Sequence, residues 1–308
     1  MGFGRHAFGV SALLPAALLV AAGLAPPARA AGDPPSAAGI VAAFGQSSRG
    51  AQRRTVDSVP LDRMAPAERA VAEQAIRRCT LSRRLPAASI TCDAALLDFI
   101  LSKPEALVDV WRVLGISRLT LDPTGPKTWR FADGYGTVGT VRLLHRERTP
   151  QGGVHVYFGT GGYDGPLAPK PLTGSCLVVV RHSPAPGDQG GGRRQTVQID
   201  AFLDVDGMGL ELVTRTLQPL IIRSAAVNVH EISLFVSQFA AAAARNPAAV
   251  SRIADRMTRI PPEDRRTLVS LAGGPATVHR AGVSADDVQQ DLAARWMTVD
   301  QLEQAGRP

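Results

Sequence analysis

Aromatic residues are scarce: Phe, Trp and Tyr make up 5% of the 308 residues. Stacking platforms for single-stranded nucleic acid need exposed rings in numbers that this chain does not supply. Dense basic runs are missing too. The formal charge is +7, but the arginines come as pairs (Arg53-Arg54, Arg77-Arg78, Arg83-Arg84, Arg193-Arg194, Arg265-Arg266) on segments that read as exposed. A solvated, arginine-rich surface accounts for them better than a nucleic-acid interface, so no nucleic-acid partner is expected. Short catalytic signatures are absent: there is no G-x-S-x-G, H-E-x-x-H, G-x-x-x-x-G-K-[ST] or C-x-x-C. Gly159-Thr160-Gly161-Gly162 is not followed by a helical pattern, which leaves a flexible turn rather than a phosphate cradle.

Histidine and cysteine are also few. Among His6, His145, His155, His182, His230 and His279, no pair stands at a metal-ligand spacing. His145 and His155 can approach across a hairpin, but structural histidines are the better account, and neither a metal nor a cofactor is expected. Three cysteines allow one disulfide with one thiol over. Cys92–Cys176 is favoured, because it ties a helical start to the most apolar strand. It would close a loop of about 80 residues and stabilise by a few kcal/mol. Cys79–Cys92 and three reduced thiols stay open.

What is present begins with a leader. Arg5 and His6 precede the apolar run VSALLPAALLVAAGLA, and Ala28-Arg29-Ala30 is a small-x-small cleavage signal. Residues 1–30 therefore read as a secretory signal peptide, and the protein as periplasmic or extracellular. No later run is long and apolar enough to span a bilayer; Leu220-Ile221-Ile222 is hemmed in by Arg215 and Arg223. Residues 31–65 read as a flexible linker, 66–272 as the folded domain, and 273–308 as a helical or disordered tail.

Inside the domain, periodicity assigns the elements. PAERAVAEQAIRRC (66–79) predicts a short helix with Val71 and Ile76 inward. Asp93 is an N-cap before Leu96, Leu97, Ile100 and Leu101. Ser102-Lys103-Pro104-Glu105 reads as a capping box for a helix carrying Leu107, Val110, Trp111 and Leu114, which Gly115 stops. A period of two then predicts strands at 116–122, 127–132, 137–146, 153–159, 174–182 and 195–206, antiparallel because the separators are short turns. Residues 160–173 read as a crossing loop. The last strand alternates Val197, Ile199, Ala201, Leu203 and Val205 with polar residues, so Asp200 and Asp204 are expected in solvent and not as catalysts. A long helical stripe follows from 208 to 245, with Pro219 breaking it between Arg215 and Arg223. Two short helices at 248–260 and 263–272 complete the domain. The fold class is α+β: two short helices, a curved antiparallel sheet of about six strands, a long C-terminal helix packed on it, and a helical tail.

The order of these elements over residues 93–245 resembles the START-like (helix-grip, polyketide-cyclase-like) superfamily. The runs TCDAALLDFILSKPE, VDVWRVLGIS, TGPKTWRFADGYGTVGTV, YDGPLAPKPLTGSCLVVVR, RTLQPLIIRSA and FVSQ resemble an uncharacterised secreted bacterial family. The sheet has fewer strands than a full START domain, and residues 246–308 have no counterpart there. The superfamily resemblance implies a cavity between the sheet and the long helix for a lipid-like ligand. Its lining would come from Val141, Leu143, Val154, Val156, Phe158, Ile199, Ala201 and Leu203 on strands, and from Leu217, Leu220, Ile221 and Ala225 on the helix. The alternatives are a non-catalytic structural or interaction protein of the cell envelope, and then a cyclase- or hydrolase-type enzyme. The enzyme would need a buried ionisable residue on the concave face.

Overall fold

The computed structural model describes residues 55–165, 171–186, 193–206 and 218–273, with side chains of the last segment described from Ala225. The expected leader, most of the linker, Leu217 and the tail beyond 273 lie outside the described residues.

The architecture is α+β, built on one large antiparallel sheet that does not close. Its strands are β1 (Leu81–Arg84), β2 (Ala88–Thr91), β3 (Thr120–Gly125), β4 (Thr128–Ala132), β5 (Thr137–Thr149), β6 (Gly152–Tyr163), β7 (Leu172–Pro184) and β8 (Arg194–Val205). The spatial order is β1-β8-β7-β6-β5-β4-β3, with β2 also paired to β8. The helices are α1 (Pro66–Arg78), α2 (Ala94–Ser102), α3 (Pro104–Leu114), α4 (Gln218–Arg245), α5 (Pro247–Arg256) and α6 (Pro262–Gly273).

The sheet has eight strands where the pattern gave six. The two additions are only four residues long each, and they cover what would otherwise be an open edge of β8. Leu81 pairs with Leu203 and Ala88 with Val197, and between the two pieces the Leu85 N–H donates to the Ile199 carbonyl at 2.9 Å. β6 also runs on through residues 160–163. Glycine makes that possible: a Cβ at Gly161 would stand 2.5 Å from the Val138 carbonyl oxygen of β5.

Local signals set the helix ends. Asp93 accepts a bond from Ala95 N at 2.7 Å, and Gly115 ends α3 at φ 69° in the left-handed region. The expected capping box does not form. Ser102 is the last residue of α2 and donates back to the Asp98 carbonyl at 2.6 Å, while Lys103 takes the N-cap position of α3. Pro219 falls in the first turn of α4, where the helix needs no backbone donor, so the described helix carries no break there.

Helices cover both faces of the sheet. One face carries Trp129, Phe131, Val141, Leu143, Tyr157, Val178, Val180, Val197 and Ile199, in one core with α2, α3 and the described part of α4. Trp111 of α3 meets Phe235 of α4 edge-on, ring centroids 5.9 Å apart. Thr91 N of β2 donates to Ser237 Oγ of α4 at 2.9 Å. Asp109 ties α3 to the segment between α5 and α6 by accepting from Arg259 N at 2.9 Å. The opposite face carries Leu144, Val156, Leu177, Val179 and Phe202, under Val59, Met64 and the α1 residues Ala72 and Ala75.

That second layer corrects the placement of Asp200. The residue is on the face away from the main core, as alternation required, but its exposure is 0%. Arg84 Nε donates to Oδ1 at 2.7 Å, Ser58 Oγ to Oδ2 at 2.9 Å, and Arg181 Nη2 also donates to Oδ2. Asp204, with 14% of its side chain exposed, meets Arg78 Nε at 3.2 Å.

Glu105 is buried at the start of α3, and burial raises its carboxyl above the usual carboxylate range. A raised folded-state pKa favours folding at low pH, and that contribution is lost as pH rises through the raised value. Glu105→Gln is therefore expected to raise the thermal midpoint at pH 8 and leave it nearly unchanged at pH 4. Thermal scans at the two pH values check this.

Candidate functional site

The core face of the sheet is apolar except toward one end, where polar side chains of β5, β6, β7 and β8 gather. His155 and Tyr157 of β6 point into this face, and so does His182 of β7, each one step out of phase with the apolar series Val154, Val156 and Phe158. The His155 and His182 rings stack with centroids 6.1 Å apart. Asp98 comes down from α2 to meet them, its Oδ1 3.4 Å from His155 Nε2. All three side chains are buried.

A β-bulge brings two cations to the same place. The pairing of β5 with β6 shifts between Leu143 and His145, so Leu143 faces Tyr157 while Arg146 faces His155. One extra residue exchanges the faces of everything after it. Arg146 therefore reaches the core side and binds Asp98, chiefly through Nη2 to Oδ2, with Nε 3.3 Å from Oδ1. Arg148 Nη1 stands 3.8 Å from Oδ2. The same shift turns His145 away, opposite Val156 and 3.6 Å from Glu147, so His145 and His155 do not share a site.

Electrostatics follows from this geometry. Burial works to raise the Asp98 carboxyl, but hydrogen bonds from His155 and Arg146 and the Arg146 charge outweigh it and hold the group well below the usual carboxylate range. Burial lowers His155 and His182, so both imidazoles stay neutral near pH 7. Nδ1 of His155 is buried with no hydrogen-bond partner among the described residues, and the buried His182 ring has Gln195 as its side-chain hydrogen-bonding neighbour. Gln195 of β8, itself buried, lies beside His182. His182 is also among the residues lining a surface pocket of about 330 Å³, whose Glu147, Arg181 and Gln198 side chains belong to the opposite face of the sheet. Gly153 leaves room for the ring: a Cβ there would stand 2.4 Å from His182 Nε2.

The arrangement is not a nucleophile relay. Ser102 Oγ is 3.3 Å from His155 Nε2, but that nitrogen also faces Asp98, whereas a relay needs the acid on the opposite ring nitrogen. Among the described residues, Asp98, His155 and His182 form the group whose ligand atoms all lie within 4.8 Å of one another.

The lining expected for an apolar ligand divides between the two faces. Val141, Leu143, Ile199, Ala201 and Leu203 lie on the core face, and Ala225 joins the same core. Val154, Val156 and Phe158 lie on the other face, packed under the N-terminal segment. Both faces are covered, so an apolar series marks a buried face without saying which one. Leu220 and Ile221 belong to α4, but their side chains, like all of Leu217, are outside the described set. Cys92 and Cys176 share the main core as free thiols, and Cys79 is half-buried and free. Burial pushes the Cys92 thiol up to about 12 and raises Cys176 further. Alkylation at pH 8 without denaturant is expected to label Cys79 ahead of both, with no Cys92–Cys176 peptide in a non-reducing map.

No protein-family model and no curated protein matches the chain. Among solved structures, an uncharacterized protein from Rhizobium leguminosarum is similar at 13% identity with a TM-score of 0.25, covering 48% of this chain and 97% of that one. A likeness at that level carries no argument about family or function. No helix among the described residues is long and apolar enough to cross a membrane.

Proposed function

We propose that this is an exported binding protein rather than a catalyst, and that its binding centre is the Asp98, His155 and His182 group between the sheet and α2. One observation carries the reading: a buried carboxylate and two buried imidazoles converge at one point of a largely apolar layer, with His155 Nδ1 lacking a partner among the described residues. Leaving a buried polar atom unpaired costs about 1–3 kcal/mol, so the cluster points to something that meets it when bound. Two neutral imidazoles and an ionised carboxylate are electron-pair donors, which suits a cationic or electron-accepting ligand. The test is native mass spectrometry of protein purified without a polyhistidine tag, with and without His182→Gln. A bound species carried by the wild type and lost from the variant supports the reading; identical spectra with no bound species contradict it. Export rests on the leader at residues 1–30 and is checked by N-terminal sequencing of the secreted chain.

A second reading keeps the apolar ligand of a helix-grip domain, held between β8 and the start of α4. Ala201 favours it: the residue lies mid-strand on the core face yet remains only partly buried. Solvent extraction of the native protein would then release a stoichiometric lipid. A non-catalytic envelope role is compatible with either ligand.

A further inference from the structure

We propose that Asp98, His155 and His182 together bind one divalent first-row transition-metal ion of the zinc class. The inference rests on the binding-centre reading and names its ligand. Two distances and a chemical set carry it. The ligand atoms gather within 4.8 Å of one another, on three different elements. His155 Nε2 and Asp98 Oδ1 stand 3.4 Å apart. That is long for a charge-assisted hydrogen bond, which runs about 2.7–2.9 Å. It matches the edge of a tetrahedron with metal–ligand bonds of about 2.0–2.2 Å, which is about 3.4 Å. Arg146 holds chiefly Oδ2, which leaves Oδ1 turned toward the histidine.

The donor set selects the ion. Two imidazoles and one carboxylate suit zinc and its first-row neighbours and leave magnesium and calcium unsatisfied, because those ions prefer oxygen ligands throughout. Three protein ligands leave a fourth position open. Ser102 Oγ, 3.3 Å from His155 Nε2, borders the cluster. The Arg146 and Arg148 charges beside Asp98 weaken the carboxylate as a donor, so binding is moderate rather than irreversible.

Zinc titration of chelator-stripped protein against a competing chromophoric chelator, alongside elemental analysis and native mass spectrometry of the untreated protein, tests this. The wild type should take up one equivalent of zinc and gain thermal stability from zinc but not from magnesium. His182→Gln should bind about 100-fold more weakly or not at all. Gly153→Ala keeps all three ligands but crowds the His182 ring, and should weaken binding at least about tenfold. Circular dichroism confirms that both variants are folded. Equal zinc binding by wild type and His182→Gln overturns the metal assignment. So does a stoichiometric organic ligand at the centre without zinc uptake, though it leaves the binding centre standing. Absence of both zinc uptake and any bound species overturns the two together.

Discussion

Asp200→Ala is expected to destabilise the protein by about 3 kcal/mol, at the low end of the range for breaking a buried ion pair. The carboxylate has 0% exposure and accepts from Arg84, Arg181 and Ser58. Removing it leaves two guanidinium groups facing each other without their counter-charge. The cost stays low in the range because 37% of the Arg84 side chain and 24% of the Arg181 side chain remain exposed, so both regain water. A local effect comes with the global one. Arg181 Nη1 donates to the Ser58 carbonyl at 3.1 Å, so the network also pins the segment that leads into α1 over the outer face. Urea denaturation should show the lower midpoint, and limited proteolysis should cut near residues 55–64 sooner. A loss below about 1 kcal/mol would place Asp200 among ordinary surface ion pairs.

Asp98→Ala is expected to cost about 3–5 kcal/mol in metal-free protein, and to abolish zinc binding as well. Only 2% of the Asp98 side chain is exposed, and three groups lose their partner at once: Arg146, Arg148 and the fully buried His155. Arg146 and Arg148 are 42% and 49% exposed and recover hydration, but His155 does not. Asp98→Asn separates the two effects, since it keeps the shape and one acceptor while removing the charge. Its loss of stability should be smaller than that of alanine, with zinc affinity still reduced. Denaturation with and without added zinc measures both.

Much of the frame was legible from the residues. Asp93 and Gly115 mark helix ends by local chemistry, and the alternation along Val197 to Val205 gives the correct core face of β8. The site was not legible, for reasons that particular residues make plain. The bulge at Leu143–His145 marks the alternation only as the apolar pair Leu143-Leu144, yet it decides that Arg146 and Arg148, rather than His145, reach the core side. On β6 both faces are buried, so Val154, Val156 and Phe158 look like lining while His155 and Tyr157 occupy the core face. His155 and His182 are far apart in sequence and meet only through the pairing of β6 with β7. Ser102 looked like a cap because Glu105 follows at capping-box spacing with Pro104 in the first turn, but its hydroxyl had a nearer carbonyl at Asp98. The strands β1 and β2 are four residues each, and the short alternation Ala88 to Thr91 does not tell that it covers the open edge of β8.

The most direct test of the metal centre is a crystal structure of the zinc-loaded protein with anomalous data on both sides of the zinc edge. One anomalous peak should appear with a carboxylate oxygen of Asp98 and one ring nitrogen each of His155 and His182 at about 2.0–2.2 Å. A structure with no peak there, in which Asp98 contacts only Arg146, Arg148 and His155 and His182 keeps only its Gln195 neighbour, would contradict it.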